Sequence, residues 1–295
     1  MKILFFGLGS IGQRHARLLK ELGGHDLHAF RSRRDGKKNE LGIPEIFDWV
    51  EVDRLRPEVA FITNPTSLHI PTALACAERG IPLFLEKPIG SSLDGLDKLL
   101  NLAEKNRLAT YVAYVLRFHP QVKRLKEEIS GLKVRRARLV SRSYLPDWRA
   151  GQNHLNSYSA RRELGGGALL DVSHEFDLAR FLFGPVAEIT GRLERRSDVT
   201  VDAEDYVEAT ARSGSVNVEI VIDIASQKPE RTITVETDRG TVTADLMQES
   251  DRDTPYRNQL RFFFDNMNNP KMMNNIPEAT PLFRQLIAFR EKNFS

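Results

Sequence analysis

Three groups of residues in this 295-residue chain have types and spacings suited to chemistry. The first is Gly165-Gly-Gly-Ala-Leu-Leu-Asp171-Val-Ser-His174-Glu-Phe-Asp177. An imidazole takes an alcohol proton well near neutral pH, and a neighbouring carboxylate orients the ring. Asp171, His174 and Asp177 recur at every third position, which predicts that they lie along one side of a helix. The same two carboxylates and imidazole equally form a ligand set for a metal ion, and Asp177 has Arg180 within reach for a structural ion pair.

The second group is Leu85-Glu86-Lys87-Pro88, which follows an apolar, strand-like run. Ligands of open α/β sheets bind beyond the C-terminal ends of the strands. A lysine there, followed by a proline that fixes the turn, is placed to hydrogen-bond a cofactor ribose and a substrate hydroxyl together. The third group is Gly7-Leu-Gly9-Ser-Ile-Gly12, a GxGxxG that starts at the seventh residue. Gly7 permits a tight turn, Gly9 lets a pyrophosphate approach the backbone, and Gly12 allows close helix–strand packing. The N–H groups that open the helix, at Ser10 and Ile11, then face the phosphates. A dinucleotide is the expected cofactor. The second strand ends in Phe30-Arg31-Ser32-Arg33-Arg34 with no acid before Asp35. An acid at that point bonds the ribose 2′-OH of NAD, whereas arginine and serine suit a 2′-phosphate. NADP is therefore expected over NAD, with Arg31, Ser32 and Arg33 as contacts.

These groups need elements to position them. Lys2–Phe6, Asp26–Phe30, Val59–Thr63, Leu83–Glu86 and Thr110–Val115 are short apolar runs that read as strands. Helical spacing covers Gln13–Leu22, Leu68–Arg79 and Leu93–Lys105 between them. Such alternation predicts a doubly wound parallel sheet, because each parallel crossover needs a helix to return. After Pro120 the texture changes. A helix over Val122–Ile129 leads into a strand over Val134–Ser143, then a loop rich in aromatic, Pro and Asn residues, then a helix near His174–Leu182. Further on, Val216, Val218, Ile220 and Ile222 alternate with Asn217, Glu219 and Asp223, and turns at Ser213-Gly214 and Arg239-Gly240 predict hairpins. Helical segments Asn258–Asn266 and Leu282–Lys292 close the chain. The fold class is α/β: residues 1–118 as a dinucleotide-binding Rossmann domain, and 119–295 as a substrate domain with a large, mostly antiparallel open sheet.

Hydrophobic residues at 41% and charged residues at 28% give the balance of a globular protein. No apolar run approaches the roughly 20 residues that cross a bilayer, so no membrane partner is expected. Met1-Lys2 runs straight into a strand, which predicts no leader peptide and a cytoplasmic location. Cys76 is the single cysteine, so an intramolecular disulfide and a cysteine-rich metal site are excluded. The net charge of +3 comes with arginines clustered at 31–34 and at 135, 136, 138 and 142. No zinc finger, stacking motif or basic heptad accompanies them, which argues against nucleic acid and for small anionic ligands.

The order GxGxxG, Thr63-Asn64-Pro65-x-x-x-His69, Glu86-Lys87-Pro88, Arg117-Phe118 and D-x-x-H-x-x-D resembles the Gfo/Idh/MocA oxidoreductase family, from Lys2 to about Gly184. The resemblance implies a Rossmann domain joined to an open-sheet domain, and hydride transfer between nicotinamide and usually a carbohydrate. It places Thr63, Asn64, Pro65, His69, Glu86, Pro88 and Arg117 along the cofactor. Lys87 matches the active-site lysine, and Asp171 and His174 match the catalytic aspartate and histidine. The family commonly sets the aspartate four residues before the histidine; here the gap is three. No metal is implied, and the sheet is implied to join copies into a homodimer or homotetramer. The segments 114–120 and 144–148 further resemble a branch acting on surface-polysaccharide amino sugars.

In the expected mechanism His174 takes the proton of a sugar hydroxyl as hydride leaves, while Lys87 stabilises the developing alkoxide. The loop before the glycine run interleaves Arg142, Arg149, Arg161 and Arg162 with Tyr144, Trp148, His154, Asn156 and Tyr158. Aromatic faces suit sugar C–H surfaces and arginines suit phosphate, so a phosphorylated or nucleotide-linked sugar is expected against Tyr144, Trp148, Arg149 and Tyr158. Pairing of the arginines with Asp147 and Glu163 is the alternative. Two other functions stay open: a glycosidase that retains its nicotinamide and oxidises transiently, and a dinucleotide-dependent sensor without turnover.

Overall fold

Strands buried on both faces read as unbroken apolar runs, and the first half of the chain is built from them. The computed structural model describes residues 1–31, 39–149, 151–248, 251–269 and 272–294. Its first elements are β1 (Lys2–Phe6), α1 (Ser10–Leu22), β2 (Asp26–Phe30), β3 (Glu45–Ile46) and α2 (Trp49–Leu55). They are followed by β4 (Val59–Ile62), α3 (His69–Ala77), β5 (Leu83–Glu86), α4 (Leu96–Lys105) and β6 (Thr110–Ala113). Every residue of β4, β5 and β6 is buried. The six strands pair in parallel in the order β3-β2-β1-β4-β5-β6. That order reverses between β1 and β4, and such a reversal opens a crevice beyond the strand ends. The glycine turn leaves β1 at this place.

The remaining elements are α5 (Pro120–Glu128), β7 (Val134–Tyr144), α6 (Ala168–Asp171), α7 (His174–Phe183) and β8 (Val186–Glu194). Then come β9 (Tyr206–Ser213), β10 (Val216–Asp223), β11 (Ala225–Thr237), β12 (Gly240–Asp245), α8 (Thr254–Asn266) and α9 (Ile276–Asn293). A second six-stranded sheet runs β12-β11-β7-β10-β9-β8, antiparallel except for the parallel pair β7/β10. Along β10, Val216, Val218, Ile220 and Ile222 are buried while Asn217 and Glu219 are exposed, the alternation that a one-sided sheet requires. On the polar face the arginines of β7 form cross-strand ion pairs. Arg136 bonds Glu236 at 2.7 Å, Arg142 bonds Glu230 at 2.7 Å, and Arg138 stands 3.8 Å from Glu219.

Two compact units result, Met1–Ala113 with Tyr256–Thr280, and Tyr114–Pro255 with Pro281–Ser295. A linear division at 118/119 does not contain this return of 256–280 to the first unit. Its cause is aromatic: the ring of Phe263 in α8 stands edge-on to Phe61 and Phe84, 6.1 and 5.2 Å between centroids. The Gln259 amide of α8 donates to the Tyr111 hydroxyl at 3.3 Å.

Two local expectations are corrected. The segment from Asp171 to Asp177 is not one helix. Asp171 ends α6, Val172 leaves helical geometry (φ −110°, ψ 31°), and His174 starts α7. The three residues therefore do not form a single helical stripe. The strand leading into the Arg239-Gly240 hairpin is longer than a short flanking strand: it begins at Ala225, with a register shift between Ala225 and Glu230. Removing the ring that brings α8 back, by Phe263→Ala, should lower unfolding free energy by about 3–5 kcal/mol, the usual cost for a fully buried aromatic side chain. Urea titration followed by circular dichroism measures this, and a change under 1 kcal/mol would show that α8 is held by something else.

Candidate active site

In the first unit, Gly7 adopts φ 104°, and a Cβ there would stand 2.7 Å from the Asn64 backbone. A Cβ on Gly12 would stand 2.2 Å from the Gly7 carbonyl oxygen and 2.8 Å from Thr63 Oγ1. The Thr63 hydroxyl donates to that Gly7 oxygen at 2.6 Å, so turn, strand end and helix form one close-packed knot. Gly9 differs: a Cβ there would meet nothing within 4 Å. Gly9 is the N-cap of α1 without a side-chain cap bond, the first turn carries no acid, and Gly9 and Ser10 are exposed. Backbone N–H groups at such a helix start attract an anion. These features fit a dinucleotide pyrophosphate.

The two other motifs of this unit are joined by His69. Its Nδ1 lies 2.8 Å from the Pro88 carbonyl oxygen and its Nε2 3.0 Å from that of Asn64. Burial holds the ring below the usual imidazole range, outweighing the two carbonyls that favour the cation. A neutral ring donates to one of them only. The Asn64 amide in turn donates to Thr72 at 2.9 Å. The Lys87–Pro88 bond is cis, and the Lys87 N–H donates to Glu86 Oε2 at 3.2 Å. The other Glu86 oxygen takes a residue that the sequence reading passed over: His15, fully buried on α1, has Nε2 at 2.8 Å from Glu86 Oε1. The available signal was an ionisable residue on the buried face of α1, beside Gly12, Ala16, Leu18 and Leu19.

In the second unit, His174 is 9% exposed at the start of α7, and its ring stands edge-on to Tyr114 with centroids 5.7 Å apart. Burial and the Asp177 carboxylate push the Tyr114 phenol up to about 12. Asp171 accepts from the Tyr158 hydroxyl at 3.0 Å. Burial and then the Asp171 charge raise the Tyr158 phenol well above the usual range, so it stays a donor. Arg149 lies over the Tyr158 ring at 5.2 Å and donates to Ser159 Oγ at 3.4 Å. Together these place a carboxylate, a phenol, an imidazole and a guanidinium on 149–174, a set able to move a proton and meet an anion.

The remaining expected contacts have these neighbours. Arg117, expected at the cofactor, is 3% exposed and makes a bidentate pair with Asp177 at 2.7 and 2.8 Å. Arg180 adds a third donor to Asp177 at 2.8 Å. Asp177 is thus an ion-pair centre. Arg142 belongs to the outer ladder, Arg161 donates to the Leu155 carbonyl at 3.2 Å, and Arg162 lies over Phe294 at 5.5 Å. Trp148 is half-buried with its indole N–H on Ser143, and Tyr144 is half-buried at the end of β7. Arg31 stands 3.6 Å from Glu45 on the neighbouring strand, while Ser32 and Arg33 lie outside the described residues. Cys76 is buried, which pushes its thiol up to about 12. Among the described residues no three His, Cys, Asp or Glu side chains group to hold a metal ion, and no helix is long and apolar enough to cross a membrane.

Comparison with known proteins gives matches along most of the chain. A family model for oxidoreductases with an NAD-binding Rossmann fold matches residues 1–114, and one for the Gfo/Idh/MocA C-terminal domain matches 123–243. The rhizopine catabolism protein MocA of Rhizobium meliloti is 30% identical over 188 residues, 60% of this chain and 56% of that protein. Myo-inositol 2-dehydrogenase of Thermotoga maritima is 25% identical over 232 residues, 75% of this chain and 64% of that protein. The matched part thus spans less than two thirds of either relative. The solved structure of GenD2 from gentamicin A biosynthesis, in complex with NAD, has a TM-score of 0.85 at 19% identity, covering 99% of this chain and 93% of that one. This likeness establishes a shared fold.

The knot at the glycine turn yields a sharp expectation. Gly12→Ala pushes a methyl against the Gly7 carbonyl, which cannot yield without moving the turn. Affinity for NAD(P)H, followed by fluorescence titration, should fall at least about ten-fold, with about 1–3 kcal/mol lost in stability from overpacking. Unchanged affinity would mean that the turn does not carry the dinucleotide.

Proposed function

Because the chain belongs to the Gfo/Idh/MocA oxidoreductase family, we propose that it is an NAD(P)-dependent dehydrogenase or reductase acting on a CH–OH group of a sugar or polyol. The observation that carries this reading is the pair of contacts made by two buried acid–base residues: Asp171 with the half-buried Tyr158 hydroxyl, and His174 edge-on to Tyr114. A protein that merely senses a dinucleotide has no need of it.

In this reading the N–H groups at Gly9, Ser10 and Ile11 hold the pyrophosphate, and Thr63–Pro65, His69 and Glu86–Pro88 shape the remainder of the cofactor site. The bound dinucleotide supplies a nicotinamide ring that exchanges hydride with the substrate carbon. His174 accepts the hydroxyl proton in oxidation and returns it in reduction. Asp171, held by the Tyr158 phenol, keeps negative charge near the cluster and favours the imidazolium that forms. The Lys87 ammonium steadies the ribose and the oxygen as it gains charge. The first unit is the cofactor domain, and the second carries substrate recognition.

The substrate is proposed to be anionic, phosphorylated or nucleotide-linked. The Arg149 guanidinium lies over the ring of Tyr158, the partner of Asp171. That contact supports it as the residue that meets substrate charge, with Tyr144 and Trp148 offering faces to the sugar. Copies of the chain are proposed to associate through the polar face of the second sheet, where the arginines of β7 and their glutamate partners present both signs of charge. A cytoplasmic location completes the reading.

Two experiments test it. His174→Ala should lower kcat by about 10²–10⁴-fold with cofactor affinity nearly unchanged, whereas Lys87→Ala should lower kcat and also weaken NAD(P)H binding. Normal turnover in the histidine variant would sink the assignment. The cofactor preference is proposed to be NADP, supported by Arg31, Ser32 and Arg33 and by the lack of an acid at the end of β2. The double variant Arg31→Ala, Arg33→Ala should weaken NADP far more than NAD, since only NADP carries the 2′-phosphate that guanidinium groups bind. Equal losses would remove the preference.

A further inference from the structure

Glu204 has no role in the mechanism above. It lies just before β9 and is fully buried. Its backbone carbonyl accepts the Ala168 N–H at 2.8 Å, and its Oε1 accepts the Leu169 N–H at 3.0 Å. These two donors open α6, a single turn too short to satisfy its own first N–H groups. Gly167, just before them, has φ 107°, and a Cβ there would stand 2.5–2.6 Å from the Glu204 carboxylate. The acid occupies the place that a side chain at 167 would fill. Its Oε2 has no hydrogen-bond partner among the described residues. The same stretch is gripped twice more: the Val201 N–H donates to the Ala160 carbonyl, and the Arg162 N–H donates to Asp202, each at 2.8 Å. The segment 200–205 therefore holds both ends of the path from Tyr158 to Asp171.

We propose that Glu204 is a positioning residue for the acid–base cluster: by holding the first turn of α6 it keeps Asp171 at the end of that turn on the Tyr158 hydroxyl. This rests on the reading that Asp171 and His174 serve proton transfer. A neutral acceptor would satisfy Leu169 equally well, so the acid has a second consequence. Burial pushes the carboxyl up to about 7 from the ordinary 4.5, opposed by the backbone N–H groups of Glu204 itself and of Leu169 and by the charges of Arg290 in α9 and Arg162. Burial in turn holds Arg290 down, with Glu204 and Glu291 acting to raise it. The folded value lies above the unfolded one. The stability that the protonated acid contributes is thus full below about pH 4.5 and is lost as pH rises through about 7.

The test uses the full chain with four variants: Glu204→Gln, Glu204→Asp, Glu204→Ala and His174→Ala. Glu204→Gln keeps the acceptor for Leu169 and removes the ionisation. It should retain slow hydrogen–deuterium exchange over 165–173 and show a smaller fall in Tm between about pH 4.5 and 7 than the parent. Glu204→Ala should speed exchange over 165–173 and lower kcat about ten-fold, the equivalent of one hydrogen bond, with NAD(P)H affinity unchanged. Glu204→Gln should recover most of that kcat. If Glu204→Ala does not fold, Glu204→Asp decides: it keeps the charge but is one methylene too short for Leu169, so exchange should rise and kcat fall. Slow exchange and parental kcat in Glu204→Asp or Glu204→Ala would overturn the proposal, as would a Glu204→Gln protein as loose as Glu204→Ala. Full turnover in His174→Ala would instead remove the functional reading, and the exchange results would still decide whether Glu204 holds the turn.

Discussion

A Cβ at position 12 would lie 2.2 Å from the carbonyl oxygen of Gly7, and the first unit depends on that proximity. Only a bare backbone lets α1 start so close to the end of β1. The start of α1 then sets its register. Three residues on, His15 falls on the buried face and meets Glu86, whose other oxygen takes the Lys87 N–H. A steric allowance at the glycine turn thus reaches the lysine turn through one helix and one imidazole–carboxylate contact. His69 makes a second tie, from Pro88 to Asn64, beside the Thr63 that packs on Gly12. The three sequence motifs of this unit are parts of one packed object.

The second unit solves a different problem, the burial of carboxylates. Asp177 is held by two guanidinium groups, Glu175 by Arg231 from β11, and Glu204 by the N–H of Leu169. Removing a charge from water costs several kcal/mol, and a pair regains this only with good geometry and further hydrogen bonds. Such groups therefore contribute definition of position more than net stability. Here they fix the elements on either side of His174: the turn at Arg117, the far end of α7, strand β11, and the one-turn α6. Asp171 and His174 are placed by neighbours that themselves have little freedom.

Positive charge needs the same scrutiny. The arginines at 136, 138 and 142 looked in sequence like an anion-binding cluster. They alternate with buried Ala137, Leu139 and Ser141 along β7 and face glutamates on the strands beside them. Exposed pairs of this kind are worth about 0–1 kcal/mol each. They describe a solvent-facing or partner-facing sheet surface better than a ligand pocket. Arg149 is distinguished from them by what it touches, the ring of Tyr158.

The amino-acid sequence by itself determined what local physics can determine. Apolar runs four or five residues long, split by helical spacing and glycine, are sufficient for a parallel sheet, and β1, β2 and β5 lie at the residues expected. The hairpin turns at Ser213-Gly214 and Arg239-Gly240 were equally local. Only the tertiary structure decided the pairings between distant residues. No spacing rule joins Arg117 to Asp177, His15 to Glu86 or Glu204 to Leu169, because each partner is chosen by where two elements pack. The same holds for α8, which leaves the second unit to put Phe263 against Phe61 and Phe84. The helix expected through Asp171, His174 and Asp177 failed for this reason too. A three-residue repeat describes a helical face only while the helix continues, and here Val172 and Ser173 interrupt it, between a turn gripped by Glu204 and a helix gripped by Arg117.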